Sequence, residues 1–205
     1  MHAAASSSKP DARQKLLDAA LKVIRAQGYA ATSVDELCRA AGVTKGAFFH
    51  HFASKEALAV AAAEYWSQST GALFAGAPYH QHEDPLDRVL AYIDFRIALI
   101  EGEAPDFTCL AGTMVQEAYG ASEAIRDACA QSIFGHAATL EADIEAARKK
   151  YGVSGGWTAQ SLAQHTQAVL QGGFILAKAK GEAAIARDMA GHLKRYVQLL
   201  FGRKP

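Results

Sequence analysis

The sequence predicts an all-α protein of about nine helices, on three observations. Apolar residues recur at three- and four-residue spacing over most of the chain, Ser33, Ser54 and Asp84 stand where such stretches begin, and Gly or Pro closes them. The first helix runs from about Asp11 to Gln27, with Leu16, Leu17, Ala20, Leu21 and Ile24 on its apolar side and Gly28 suited to a left-handed stop. Ser33 and Glu36 have the spacing of a capping box and open a second helix, Val34 to Ala41. Gly42 breaks it, and a third helix of about eight residues starts at Val43 and Thr44. Ser54 caps a fourth, in which Leu58, Ala61, Ala62, Tyr65, Trp66 and Leu73 keep the period as far as Gly76.

GAPYHQHEDP, residues 76–85, is a loop by its turn chemistry and the most marked internal boundary. Asp84 caps the next helix and Pro85 takes its first position, where a missing N–H costs nothing. This helix reaches about Glu101 and is apolar on two faces, one with Leu86, Val89, Leu90, Ile93, Ile97 and Ile100, the other with Tyr92, Phe95 and Leu99. Such a helix belongs at the centre. After the breaker GEAPD come a helix from Thr108 to Tyr119 and a long one from about Ser122 to Tyr151, with Ile125, Cys129, Ile133, His136, Leu140 and Ile144 in register. GVSGGW separates it from two amphipathic helices, about Thr158 to Lys180 and Glu182 to Phe201. There is no internal repeat, and residues 1–10, with their Ala and Ser content, are expected to form a disordered tail.

With half of its 205 residues apolar, the chain can bury a real core. Lys and Arg balance Asp and Glu at 21 each, so no overall basic excess announces a nucleic acid. The distribution says more. From Met1 to Val60 eight basic residues stand against five acidic ones, an excess of three that favours an approach to phosphate. Cys38, Cys109 and Cys129 are odd in number and widely spaced, which fits neither a disulfide framework nor a zinc pattern and favours a reducing compartment. The start lacks an apolar signal region and no stretch approaches the ~18 apolar residues of a membrane span, so a cytoplasmic location is expected.

Two short helices joined at a glycine match the helix-turn-helix, whose second helix lies in the DNA major groove. The surrounding residues sharpen that pattern. TSVDELCRAAGVTKGAFFHHFASKEAL, residues 32–58, resembles the TetR family of bacterial transcriptional repressors, and the resemblance extends over about Asp11 to Trp66. It implies a helix-turn-helix DNA-binding domain at 11–54 and a ligand-binding and dimerisation domain at 55–205, connected by helix four, about 54–75. It also implies a ligand-responsive repressor, without catalytic activity or cofactor, that binds a palindromic double-stranded operator as a homodimer and is released by a small-molecule effector. Ser33, Val34, Thr44, Lys45, Gly46, Ala47, Phe49, His50, His51 and Lys55 are the expected DNA contacts. Phe48 and Phe52, four apart, share one face and are expected to pack on Leu16, Ala20 and Leu37, while Phe49 and His50 fall away from it. Ala40 and Ala41 allow a close helix crossing, and Gly46 leaves room for backbone to approach DNA. The family usually carries tyrosine where Phe49 stands, so one phosphate donor is missing here. Asp35 is an acid where many members are basic or neutral, and it either accepts from a cytosine amino group or points away.

The rest of the chain offers a pocket and an interface. Trp66, Tyr92, Phe95, Arg96, Leu99, Cys109, Thr113, Met114, Glu117, Phe134, His165 and Phe174 are expected to line a cavity for an apolar or aromatic effector. Arg96, Glu117, His136 and His165, which interrupt apolar helices, are its candidate polar groups. Cys109 begins a helix, as a small core residue or as a thiol that senses electrophiles or oxidants. With His136 or His165 it is also the only candidate nucleophile and base for an enzyme, and nothing in the sequence brings them together. His80, His82, Glu83 and Asp84 look like metal ligands but lie in a polar loop without helical spacing, and read as solvated. A dimer interface is expected from two stripes: Leu162, Thr166, Val169, Gly173 and Leu176 in the penultimate helix, and Ile185, Met189, Leu193, Tyr196 and Leu200 in the last.

Overall fold

A computed structural model describes residues 11–204, and the tail expected over residues 1–10 lies outside them. Among the described residues the protein is all-helical, with eleven α-helices and one 3-10 turn. Helices α1 (Ala12–Gln27), α2 (Val34–Ala41) and α3 (Lys45–His51) form the N-terminal head, and α4 (Lys55–Ala75) leads out of it. After the 3-10 turn Pro78–Gln81 come α5 (Pro85–Ala98), α6 (Ala104–Phe107) and α7 (Leu110–Ala118). The chain then forms α8 (Glu123–Ala138), α9 (Glu141–Tyr151), α10 (Ala159–Lys180) and α11 (Ala183–Leu200).

Local chemistry explains the head. Asp11, Ser33, Thr44 and Ser54 each accept a backbone N–H three residues on, which satisfies one of the free donors at each helix start. Only half of the capping box forms at α2: Ser33 Oγ accepts from Glu36 N, while the Glu36 carboxylate turns to Gln27 Nε2 at 2.8 Å. Gly42 ends α2 in the left-handed region, φ 64° and ψ 37°. Gly28 also has positive φ, 91°, but its ψ of 163° places it outside the left-handed helical well, in a region open to glycine alone. Phe48 and Phe52 are buried with Leu16, Ala20 and Leu37 in one core, as their spacing requires. That core does not stop at the head. It continues through Leu58, Ala62 and Ala63 of α4, Met114 of α7, and Ile125 and Cys129 of α8.

A second core joins α5, α9, α10 and α11 through Leu86, Tyr92, Ile93, Ile144, Leu162 and Val197. Asp84 closes its edge by accepting from Leu86 N at 2.8 Å and from Lys150 and Tyr151. Burial alone would raise the Asp84 pKa, but these hydrogen bonds win and hold its carboxyl well below the usual range. Its loop is therefore a structural corner, and no cluster of three or more candidate metal ligands occurs among the described residues.

Three boundaries differ from the sequence reading. The helix expected over 122–151 is two, α8 and α9, because Thr139 N and Leu140 N bond three residues back and Thr139 Oγ1 also donates to the His136 carbonyl at 2.7 Å. These tighten the turn and compete with the α-helical ladder. Helix α5 ends at Ala98 rather than near Glu101. The breaker GEAPD itself makes the single turn α6, with Pro105 near its start and Asp106 accepting from Glu103 N at 2.9 Å.

Candidate functional site

The head exposes one face of α3 and the start of α2. Phe49 is 52% exposed while Phe48 beneath it is fully buried, with the two rings edge to face at 5.1 Å. Ser33, Thr44, Lys45, Gly46 and His50 are exposed, and Val34, Ala47 and His51 are half-buried. Asp35 pairs with Lys45 at 2.9 Å. Lys55 is placed differently from the other expected contacts. Its ammonium donates to the carbonyls of Tyr29 at 3.1 Å and Thr32 at 2.9 Å and sits 4.3 Å from the Tyr29 ring centroid. It ties α4 to the α1–α2 turn, where the Tyr29 carbonyl also accepts the Thr32 backbone N–H at 3.2 Å. Ala40, expected at a close crossing, is exposed, and Ala41 is half-buried.

A cavity of about 670 Å³ opens behind the head. Trp66, Thr70, Leu73 and Phe74 of α4 form one wall, Arg96 and Leu99 of α5 another, and Phe107, Cys109, His136, Gln167, Gln171 and Phe174 complete it. Of the twelve residues expected there, Trp66, Arg96, Leu99, Cys109 and Phe174 line it. Tyr92 and Phe95 stand one layer back. The Tyr92 hydroxyl receives the Gln167 amide at 3.2 Å and donates to His136 Nε2 at 2.9 Å, and Phe95 packs edge to face on Phe74. Thr113 and Glu117 instead face a smaller cleft of about 250 Å³ with Lys178.

The remaining expectations for the pocket are corrected by helix rotation. Met114 is buried in the head-side core, Phe134 is 56% exposed, and His165 is exposed on α10 against Tyr196 at 5.1 Å. Glu117 serves the head: its carboxylate accepts from Ala30 N at 2.6 Å, in space that a side chain on Gly28 would fill. The charged, imidazole and amide groups that face the cavity are Arg96, His136 and five residues outside the sequence expectation, Arg25, Asp106, Gln131, Gln167 and Gln171, alongside Ser67, Ser69, Thr70, Ser132 and Thr139. Arg25 belongs to α1. Its guanidinium lies 5.0 Å from the Trp66 ring centroid and donates to the carbonyls of Leu21, Asp106 and Thr108. In the sequence a basic residue in the last turn of a helix is accounted for by the helix dipole, so nothing marked it for the cavity. Gln167 and Gln171, four apart on α10, carried a legible signal.

Electrostatics separate the histidine from the thiols. Burial, with the neighbouring Arg96 charge, lowers His136 to about 4, so the ring is neutral. Burial raises the Cys129 thiol to about 12. Cys109 is half-buried, and its Sγ accepts from Gly112 N at 3.3 Å. His136 turns Nε2 to Tyr92, and His165 is on the outer face of α10, so neither forms a nucleophile and base with Cys109.

The dimer stripes are divided by the fold. Leu162, Thr166, Gly173 and Leu193 are buried within the chain itself, with Gly173 against Ala186 and Met189 of α11. Val169, Ile185, Met189 and Leu200 are half-buried, whereas Leu176 and Tyr196 are exposed beside Ile175 and Leu199.

A helix-turn-helix head whose reading helix is exposed, joined to a helical body with a cavity at the junction, defines a helical DNA-binding transcriptional regulator. The chain belongs to the tetR family of bacterial regulatory proteins: residues 16–62 match that family's N-terminal model, and residues 85–193 match the tetracyclin repressor-like C-terminal domain. Regulators of this family typically bind DNA as dimers, respond to small-molecule effectors and are not enzymes. The HTH-type transcriptional repressor NemR of Escherichia coli K12 is 26% identical over 192 residues, 91% of this chain and 94% of the relative. Two Bacillus subtilis regulators match over less of their length. YerO is 37% identical over 54 residues, 19% of its length, and YxaF 26% identical over 124 residues, 64% of its length. Among solved structures, the reduced form of E. coli NemR superposes with a TM-score of 0.75 at 25% identity, over 90% of this chain and 96% of that one. A TetR-family regulator from Agrobacterium tumefaciens shares the fold with a TM-score of 0.79 at 22% identity, over 90% and 96%. No helix among the described residues is long and apolar enough to cross a membrane.

Proposed function

We propose that this regulator is a ligand-responsive repressor that binds a palindromic operator as a homodimer and is released when a small apolar or aromatic effector enters the cavity. The observation that carries the reading is the double origin of the cavity wall: α4, which starts in the head, and Arg25, which belongs to it. A ligand that displaces either changes the seat of the reading helix. Thr44, Lys45, Gly46, Ala47, Phe49, His50 and His51 are the proposed groove contacts, flanked by Ser33 and Val34. Lys45 exchanges its exposed pairing with Asp35, worth at most about 1 kcal/mol, for a phosphate. Lys55 positions α4, and any contact it makes with phosphate is through the remaining donor. The proposed dimer face is the exposed apolar strip of Ile175, Leu176, Tyr196 and Leu199. Fluorescence anisotropy of DNA from upstream of the chain's own gene tests the reading: a dimer that binds specifically, with reduced affinity in the presence of a cavity ligand, supports it. Equal affinity for that DNA and a random duplex counts against it.

One observation favours a second trigger on the same scaffold. Cys109 lines both the cavity and the smaller cleft, beside Lys178, and begins the helix whose Glu117 holds the head. Alkylation of this thiol by an alkyl halide, in which the S–H proton goes to solvent, an S–C bond forms and the C–halogen bond breaks with loss of halide, would place bulk at that joint. The relative solved in its reduced form is in keeping with a redox-sensitive state. Iodoacetamide should modify Cys109 before the buried Cys38 and Cys129 and weaken DNA binding, and Cys109→Ser should abolish the response.

A further inference from the structure

We infer that the effector is an aromatic carboxylate, its anionic group held by the Arg96 guanidinium and its ring seated among Trp66, Phe74 and Phe174. The inference rests on the cavity being the effector site. Arg96 is half-buried on α5, its guanidinium carbon 5.2 Å from the Phe74 ring centroid and 5.9 Å from that of Phe174. Among the described residues no carboxylate pairs with it. Its one side-chain hydrogen bond is a long contact of 3.4 Å to His136 Nε2, and that lone pair already receives the Tyr92 hydroxyl at 2.9 Å. A guanidinium carries five donors in a plane, and here nearly all of them lack an acceptor among the described residues.

The surrounding charges do not supply the missing anion. Facing the cavity are Arg25 from α1, Arg96 from α5, Asp106 from α6, the Cys109 thiol, and the neutral His136 from α8; α4 and α10 contribute no titratable group. Asp106 is the single acid, and its carboxylate accepts the backbone N–H of Glu103. The wall is therefore net positive and mostly apolar. A guanidinium fixed between aromatic faces is preorganised to hold a carboxylate by two parallel bonds, since its plane is set before the ligand arrives. The remaining volume suits one or two fused rings with substituents, within the usual range for small-molecule sites. Gln167 and Gln171 can hydrogen-bond a ring substituent without adding charge.

The test compares two probes of nearly equal shape, 2-naphthoate and 2-naphthamide, by calorimetry on the full-length protein at neutral pH. The carboxylate should bind at least about tenfold more tightly, and Arg96→Gln should remove that preference by weakening the carboxylate much more than the amide. Circular dichroism and melting temperature verify that the variant folds, and the wild-type comparison needs no variant. Amide binding equal to or tighter than carboxylate binding overturns the inference, as does a preference that survives Arg96→Gln. If the amide binds the wild-type protein as well as the carboxylate and also releases upstream DNA, the carboxylate assignment falls while the cavity remains the effector site. If neither probe binds at millimolar concentration, the assignment falls, and release of DNA by any other cavity ligand decides the broader reading separately.

Discussion

Lys45 and Lys55 are the same residue type, ten positions apart, and their neighbours give them different work. Lys45 is exposed and held only by Asp35, so Lys45→Ala should leave stability unchanged, weaken binding to all DNA sequences and reduce the salt slope by about one. Lys55 satisfies two carbonyls of the α1–α2 turn, so Lys55→Met should cost about 1–3 kcal/mol in urea unfolding, before any effect on DNA. Equal stability of the two variants would contradict this division. His136 makes a pH prediction. Burial, then Arg96, lowers its pKa from the ordinary 6.5 to about 4, so the unfolded chain takes up this proton more readily than the folded one. The contribution is complete above about pH 6.5 and is lost as pH falls towards 4, to as much as roughly 3 kcal/mol. His136→Gln should flatten the fall in urea midpoint between pH 7 and pH 4.5; an unchanged slope would assign the loss to other groups.

At the scale of elements, helix α7 is the joint between body and head. Glu117 reaches the α1–α2 turn only because residue 28 has no side chain: a Cβ there would lie 2.2 Å from Glu117 Oε1, and its φ of 91° is itself unfavourable for other residues. Gly28→Ala should therefore destabilise the protein by more than about 1 kcal/mol, and Glu117→Ala introduced alongside should recover only the steric part. A Gly28→Ala protein with wild-type melting temperature would contradict the packing of this joint. Helices α10 and α11 cross closely at Gly173, where a Cβ would stand 3.2 Å from Met189 Cβ. Gly173→Leu should overfill that crossing, cost about 1–3 kcal/mol, and read out as lost stability rather than a clean change of oligomer. The stripe through Leu162, Thr166 and Gly173 was legible in the sequence, but its partner was not, because a packed crossing looks the same whether the second helix belongs to the same chain or another. The kink at Thr139 was hidden for a related reason: apolar period continues across it, from His136 to Leu140 and Ile144, while the competing hydroxyl bond has no periodic signature. Head boundaries, by contrast, followed from Ser33, Gly42 and Ser54, whose cap and turn chemistry is local.

For the whole molecule, the packing of the head was legible because its contacts are close in sequence: Phe48 and Phe52 meet Leu16 and Ala20 of α1 and Leu37 of α2, whereas the continuation of that core into α7 and α8 was not. The cavity was legible only in part. Its wall is assembled from helices distant in sequence, so Arg96 and Phe174 stood out as interruptions or aromatics, whereas which face of each helix turned inward, decisive for Met114, Phe134 and His165, depended on rotations that periodicity alone leaves open. The proposed dimer follows from the exposed strip on α10 and α11. Leu176→Glu combined with Tyr196→Glu should give folded monomers by sedimentation at micromolar concentration, with operator binding lost at concentrations where the wild type binds. A dimer unaffected by both changes would move the interface elsewhere.

Occupancy of the cavity is proposed to reach the reading helix through α4 and Arg25. The most direct measurement is an anisotropy titration of an operator, selected from random DNA by the protein itself, with and without a compound that raises the melting temperature. The account predicts that the compound weakens operator binding at least about tenfold, equivalent to about 1.4 kcal/mol of coupling, and that Arg25→Ala reduces this effect. Operator affinity unchanged at saturating compound, with the compound shown to line the cavity, would contradict it.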